Sequence, residues 1–375
     1  MKHKNKILID KFWGPSITKV EKTTISEMMN SGWSNYNNVE KFEKKFTRWH
    51  NRKFGLMTTS GTSAIHLALK SIKINKNDEI IVPDCTWTAS VAPILYENAK
   101  PIFIDIDKDN WCIDVKKIEA SITKKTKAIL FVDLYGNFPD IKYLKKIAKK
   151  YKLALIEDAA EALGSKYYNS RAGKLGLISI HSFQRTKTIT SGEGGFILTD
   201  NKLIYERIKL LRDLGRSKKD MYYAEEIAPK YIPSNLNASM VLAQFSRINE
   251  ILSKKKKIFL TYKKLLSPFK NLQLISDSKN IKNGCWANVI VFKKETNLKS
   301  KNIIQKMHSK NIFCRPFFYP LTSQKAYSKY SKNSKLKNVN SYSIYQRGIL
   351  LPSSINLSMR DVKYISNTLL KLIMK

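Results

Sequence analysis

Acidic side chains are scarce in this chain: its 375 residues carry 30 Asp and Glu against 68 Lys and Arg, a formal net charge of +38. Cysteine is scarcer still. Cys85, Cys112, Cys285 and Cys314 stand far apart, without metal-ligand or redox-pair spacing, which argues against a disulfide framework or a zinc site. They read as free thiols packed as small hydrophobes in a reducing cytoplasm. No apolar run reaches the roughly 18 residues that a membrane span needs. The opening "MKHKNKILIDKFWGPS" is basic with only a short apolar stretch and does not read as an export signal. There is no internal repeat and no low-complexity tail. With 43% hydrophobic residues, the chain has enough apolar side chains for a large core divided into two or three lobes.

The positive charge raises the question of a nucleic-acid partner, since phosphate neutralisation dominates such binding. The lysines, however, are spread along the whole chain. The densest run, "SKKKK" at Ser253–Lys257, sits in a helical pattern, where a charge run reads as a solvated face. No zinc-ligand or aromatic RNA-binding signature accompanies it. Abundant Lys, Asn and Ile fit compositional drift in an AT-rich genome, so neither nucleic acid nor membrane is expected as a partner. A positive field would still attract small anionic substrates.

Between Phe54 and Asp200 strand-like and helix-like segments alternate. "DEIIVP" (78–83), "PIFIDID" (101–107), "KAILFVDLYG" (127–136), "LALIEDAA", "LISI" and "FILTD" read as strands. "TASVAPILYENA" (88–99), "VKKIEASI" (115–122) and "DIKYLKKIAKKYK" (140–152, with Asp140 as N-cap) read as helices. The pattern predicts an α/β fold with a mainly parallel central sheet flanked by helices. Ligands in such sheets sit beyond the carboxyl ends of the strands. A polar stretch reaching Asn235 reads as a long loop. One long helix is expected over Asn237–Leu266, leading into a smaller lobe that mixes the strand-like "CWANVIVF" with helices near "NIIQKM" and "RDVKYISNTLLKLIM".

Four features carry chemistry. In "TTSGTSAIHLAL" (58–69) a glycine and hydroxyl residues lead into a helix, whose N-terminus is either an ordinary cap or an anion site. "VPDCTWTAS" places Trp87 after a strand, as core or as an aromatic plate. "IEDAAEALGS" places Asp158 at a strand end. "SFQRTKTITSGEGG" (182–195) sets Lys187 in a short polar loop between two apolar strands, where an exposed lysine is the bland alternative. Each is weak alone. Together they supply what pyridoxal 5′-phosphate needs: an anion hole, a stacking plate, a carboxylate for the ring nitrogen and an amine for its aldehyde.

The chain closely resembles the DegT/DnrJ/StrS-type sugar aminotransferases, which have the aspartate-aminotransferase fold, type I of the pyridoxal-phosphate enzymes. The segments that carry the resemblance span nearly the whole chain: "VEKFEKKF", "SGTSAIHLAL", "DEIIVPDCTW", "TKAILFVDLYG", "IEDAAEALGS", "SFQRTKTITSGEGG", "SNLNASMVLAQFSRI", "RPFFYPL" and "LPSS". The resemblance implies a large cofactor-binding domain with an N-terminal segment over 1–245 and a small C-terminal α+β domain over 246–375. Lys187 matches the Schiff-base lysine and Asp158 the partner of the pyridine nitrogen. Ser182, Gly61, Thr62 and Ser63 match the phosphate contacts, Trp87 matches the stacking aromatic, and Glu161 matches the residue near the ring hydroxyl. Relatives that remove a hydroxyl carry His at the lysine position, so Lys187 argues for amine transfer. The chain departs from many relatives at Lys230 and Ile232, in place of an Asn-x-Arg pair that reaches the neighbouring subunit's cofactor, and at Thr322, in place of His.

The implied reaction moves an amino group from glutamate to a keto-sugar, a nucleotide-linked 3- or 4-keto-6-deoxyhexose destined for surface polysaccharide or lipopolysaccharide. The implied enzyme is a cytoplasmic homodimer without a metal. The alternatives are a ketocyclitol or antibiotic-sugar aminotransferase of the same family and, from another class, a non-catalytic basic binding protein. Intact Lys187 and Asp158 weigh against the last.

Overall fold

The computed structural model describes residues 17–217, 219, 220, 222–275 and 280–374. The opening segment 1–16, read above as no export signal, lies outside them.

The central sheet has seven strands: β1 (Phe54–Thr58), β2 (Glu79–Pro83), β3 (Lys100–Ile104), β4 (Thr126–Val132), β5 (Ala154–Asp158), β8 (Ile178–Ser182) and β9 (Gly195–Thr199). Their order is β1-β9-β8-β5-β4-β2-β3. The numbering leaves room for a ribbon of two-residue strands, β6 (Lys166–Tyr167) and β7 (Ser170–Arg171), on which β11 (Ile281–Lys282) from the C-terminal part pairs. The run β3-β2-β4-β5-β8 is parallel, and β9 runs antiparallel to both β8 and β1. The expected mainly parallel sheet with flanking helices is therefore present, with one reversed strand inserted.

Period-two alternation divides the strand side chains between two cores. Ile80, Val82, Leu130 and Ile156 pack with α3 (Gly61–Ser71), while Ile81, Ile129, Phe131 and Leu155 pack with α5 (Ile141–Lys150). Helix α5 forms as its sequence predicts: Asp140 caps the Tyr143 N–H at 3.1 Å, and Ile141, Leu144, Ile147 and Ala148 share the buried face. Helices α1 (Lys19–Ser31) and α2 (Asn37–Trp49) precede β1; α2 and α7 (Asn235–Ser246) share an aromatic core around Phe42 and Phe46.

Three helical expectations need correction. Thr88–Ala99 is a 3-10 turn followed by the short α4 (Ala92–Tyr96), because Pro93 fits only the first turn of a helix. Val115–Ile122 forms two 3-10 turns. The long helix over Asn237–Leu266 is in fact α7 and α8 (Ile248–Leu266), separated at Arg247, whose guanidinium turns to Thr18 and Glu21 of the first helix. Helix α6 (Lys202–Leu211) follows β9, and α9 (Ser300–Ser309) lies further along, in the C-terminal part of the chain.

A second sheet, β10 (Leu272–Leu274), β12 (Asn288–Phe292), β14 (Gly348–Leu351) and β13 (Arg315–Pro316), runs in the order β10-β12-β14-β13 and is antiparallel throughout. It packs on α8, α9 and the terminal helix Met359–Ile373 around Ile290, Phe292, Met307 and Ile365. Within α8 the "SKKKK" run is not wholly a solvated face. Lys255 is 3% exposed, and its amine donates to the carbonyls of Trp286 (3.1 Å) and Ser353 (2.8 Å).

Candidate active site

The carboxyl ends of β4, β5 and β8 open into a cavity of about 470 Å³. Val132, Asp158 and Ser182 reach it from these strand ends, and the N-terminus of α3 and the Lys187 loop close its sides. Trp286, Arg315 and Phe318 reach it from the C-terminal part of the chain.

The α3 end is built by a reciprocal cap. Ser60 Oγ accepts from the Ser63 N–H at 3.0 Å, and Ser63 Oγ accepts from the Ser60 N–H at 2.9 Å. The next N–H groups, of Gly61 and Thr62, belong to a first turn that has no intrahelical acceptors. Two close approaches shape this end. A Cβ on Gly61 would stand 3.1 Å from Ser182 Cβ, and one on Gly195 would stand 2.1 Å from the Ser60 carbonyl oxygen. The glycines thus let β8 and β9 press against the turn, which sets the Ser182 hydroxyl beside the helix N-terminus. Such an arrangement suits a phosphate.

The Lys187 loop is held by its own backbone. Arg185 N–H donates to Gly192 O and Lys187 N–H to Gln184 O, each at 2.8 Å; Gly192 takes a φ of +82° to make the turn. The amine of Lys187 lies 3.5 Å from Glu161 Oε1 and 4.4 Å from the centre of the Trp286 ring. Trp286 is fixed in turn, since its indole N–H donates to Thr186 O at 2.8 Å and its ring lies parallel to that of Tyr135.

Asp158 is buried at the end of β5. It accepts from the Ser90 hydroxyl at 2.7 Å and from the Ala160 N–H at 3.1 Å. Burial pushes its carboxyl above the usual range, against the pull of Ser90, Ala160 and the Lys187 charge. Burial likewise raises Glu161, with Lys187 and the Tyr135 N–H opposing it.

Gly61, Thr62, Trp87, Asp158, Glu161, Ser182 and Lys187 all line this one cavity. Ser63 does not; it is buried behind the turn and shapes it. Lys230 lies outside, half-exposed, and pairs with Asp213. Thr322, at the position where many relatives have His, donates its hydroxyl to the buried Asp84 at 2.7 Å. Sequence reading missed Ser90, Arg185, Trp286, Arg315 and Phe318. Arg185 was visible inside the lysine motif, and Trp286 inside an expected strand that starts only at Asn288. Ser90 lies in "VPDCTWTAS", and Arg315 and Phe318 in "RPFFYPL", without having been singled out there.

The residues present fit pyridoxal phosphate: a donor-rich helix end for the phosphate, a buried carboxylate at a strand end for the ring nitrogen, and a lysine amine inside the same cavity. Among the described residues there is no cluster of His, Cys, Asp and Glu that would hold a metal ion.

Comparison with known proteins agrees with this geometry. The model of the DegT/DnrJ/EryC1/StrS aminotransferase family matches residues 15–370. The GDP-perosamine synthase of Escherichia coli O157:H7 is 37% identical over 358 residues, 95% of this chain and 96% of that protein. The L-glutamine:2-deoxy-scyllo-inosose aminotransferase of Streptomyces kanamyceticus is 37% identical over 204 residues, 52% of this chain and 48% of that one. Among solved structures, PseC of Helicobacter pylori, an aminotransferase involved in the biosynthesis of pseudoaminic acid, superimposes with a TM-score of 0.91 at 25% identity, covering 97% of this chain and 98% of its own. The chain belongs to the DegT/DnrJ/EryC1/StrS aminotransferase family and is a pyridoxal-phosphate-dependent enzyme of fold type I.

Proposed function

We propose that the enzyme moves an amino group from glutamate to a nucleotide-linked 3- or 4-keto-6-deoxyhexose for surface polysaccharide or lipopolysaccharide. The observation that carries this reading is the convergence of Lys187, Asp158 and the α3 N-terminus on one cavity. When bound, pyridoxal phosphate supplies an electron sink for the carbanion formed at the donor α-carbon. Ser182, Gly61 and Thr62 would hold its phosphate, Trp87 would face its ring, and Lys187 would hold its aldehyde carbon. Asp158 keeps a proton on the ring nitrogen. Glu161 stands 3.5 Å from the Lys187 amine, where it orients the lysine beside the ring hydroxyl. With the cofactor bound, the Lys187 amine would carry the proton from the donor α-carbon to the cofactor and, with the keto-sugar, would carry it from the cofactor to the sugar carbon that receives the amine.

Both substrates are anionic, and the cavity wall carries Arg185 and Arg315. They stand close enough that the Arg185 charge adds to burial in lowering the Arg315 guanidinium. The GDP-sugar relative puts guanosine-diphosphate sugars first among the acceptors to test. The partial match to a cyclitol aminotransferase keeps a ketocyclitol acceptor, with glutamine as donor, as the second reading.

The working unit in this reading is a cytoplasmic homodimer in which Lys230 reaches the partner subunit's cofactor phosphate. The support is its place outside its own cavity, on a polar segment before α7. Borohydride reduction followed by peptide mapping tests the assignment of the lysine: the label is expected on Lys187, and a label on another lysine overturns it. Assay with glutamate or glutamine and a panel of keto-sugar nucleotides and cyclitols decides between the acceptors. Lys230→Ala is expected to weaken cofactor binding while Lys230→Asn loses less, and sedimentation of a fully active monomer would refute the shared site.

A further inference from the structure

Asp133 follows β4 directly behind the cavity floor. It is completely buried, and its N–H donates to the Asp158 carbonyl at 3.0 Å, extending the ladder past the Val132–Asp158 pair. Among the described residues neither of its carboxyl oxygens meets a hydrogen-bond donor. A buried carboxylate without donor or cation is very costly. Its carboxyl faces another acid, the equally buried Glu157, close enough to hydrogen bond once one of the two carries a proton.

Glu157 is already supplied with donors. Its Oε1 accepts from Gly173 N–H at 2.7 Å; its Oε2 accepts from Leu175 N–H at 2.8 Å, Gly176 N–H at 3.2 Å and the Ser179 hydroxyl at 2.6 Å. Four donors suit an ionised carboxylate, which only accepts. Two acids joined by a hydrogen bond share one proton. With four donors holding Glu157 as the acceptor, only one of them on Oε1, that proton belongs on Asp133. The charged groups facing Asp133 are Glu157 and Asp158 of β5, and the Cys112 thiol faces it from the segment after β3. Burial first, then these two acids, pushes the Asp133 carboxyl well above the usual range.

We infer that Asp133 is a neutral acid that donates its proton to Glu157 and so positions Asp158, sparing the end of β5 an additional buried negative charge. Asp158 is already raised by burial. Another anion behind it would favour its neutral form, which cannot hold a proton on the ring nitrogen. Asp133 acts only through its neighbours and is a positioning residue.

The inference rests on the cofactor role of Asp158, but the position of the proton can be tested without it. Infrared difference spectra of the cofactor-loaded wild type minus Asp133→Asn at neutral pH are expected to show loss of a deuterium-sensitive C=O band of a protonated acid. Loss of carboxylate bands instead would overturn the inference. Asp133→Leu takes one donor from Glu157 and is expected to lower kcat roughly tenfold or more, the scale of one hydrogen bond to a charged group. Asp133→Asn, a neutral donor of the same shape, should recover most of that loss and keep the acid limb of the pH–kcat profile in place. An Asn variant that is unfolded, no better than Leu, or shifted in its acid limb would show that an ionised Asp133 is required.

Discussion

The Ser90 hydroxyl donates to Asp158 Oδ2 at 2.7 Å across 68 residues of chain. It joins the turn after β2 to the end of β5, where in the proposed function Asp158 stays ionised although burial opposes it. Ser90→Ala removes a hydrogen bond to a charged group, worth about 1.5–3 kcal/mol. The Asp158 carboxyl should rise further. Cofactor affinity, read by absorbance titration of the apo protein, should fall roughly 10- to 100-fold on the same scale. The loss should grow as pH falls, because a larger share of Asp158 is then protonated. A loss that does not change with pH would mean that Ser90 acts on the turn and not on the carboxylate.

Much of the site was legible because its parts sit at strand ends and glycine turns, where sequence carries local signals. Asp158 closes an apolar strand, Lys187 precedes a glycine-rich turn, and Gly61 opens a capped helix. Ser90, Arg315 and Phe318 lie in segments quoted for other residues, and the fold is what brings them to the cavity. The break at Arg247 was hidden for a similar reason: no Gly or Pro stands between Asn237 and Leu266 to mark it, and a distant partner, Glu21, claims the guanidinium. Lys255 was different, because a signal existed. Ile251, Lys255, Ile258 and Tyr262 fall on one helical stripe and all are buried, so periodicity placed one lysine of the run inward.

Gly195 is the tightest contact behind the phosphate cradle. An added Cβ would meet the Ser60 carbonyl oxygen at 2.1 Å, its carbon at 2.3 Å and the Gly61 nitrogen at 2.6 Å, all of them backbone. Backbone cannot swing aside as a side chain does, so Gly195→Ala must push β9 away from the α3 turn. Overpacking of this kind costs about 1–3 kcal/mol or more. Cofactor affinity should fall together with the melting temperature. Gly192→Ala is the comparison: its Cβ meets nothing within 4 Å, but its φ of +82° strains any other residue, so it should cost stability without a backbone collision at the cradle. Equal losses of affinity in the two variants would show that close approach at Gly195 is not what shapes the site.

The rings of His181 on β8 and His50 after α2 lie 4.6 Å apart, tilted by 47°, and both are buried. Burial lowers His181 to about 4 from 6.5, and burial followed by the His181 charge lowers His50. A depressed folded-state value means that the unfolded chain takes up the proton first. The stabilisation is complete above pH 6.5 and is lost as pH falls toward 4, on the order of 3 kcal/mol for His181. Urea midpoints should therefore drop between pH 7 and 4.5, and the drop should shrink in His181→Gln. An unchanged drop would assign the acid sensitivity to other groups.

Lys255 gives the same sign in a window on the alkaline side. Its amine is buried, donates to two backbone carbonyls, and is lowered by burial to about 8 from 10.5. Below pH 8 both folded and unfolded chains carry the proton, and the folded state bears the full cost of enclosing the charge. Between 8 and 10.5 the unfolded chain still holds the proton while the folded chain has released it, a state that is favoured less and less as pH rises. Folding should therefore gain about 1.4 kcal/mol per pH unit from this group over that window. Lys255→Met removes the titration and leaves the Trp286 and Ser353 carbonyls without their donor. Relative to this variant, the wild type should gain about 2 kcal/mol between pH 7 and 9.5 by urea denaturation. The Met variant should also loosen Trp286, and with it the ring under the Lys187 amine, so kcat should fall even where stability is matched. A constant stability difference across the pH range would mean that Lys255 keeps an ordinary lysine titration despite its burial, with water reaching its amine.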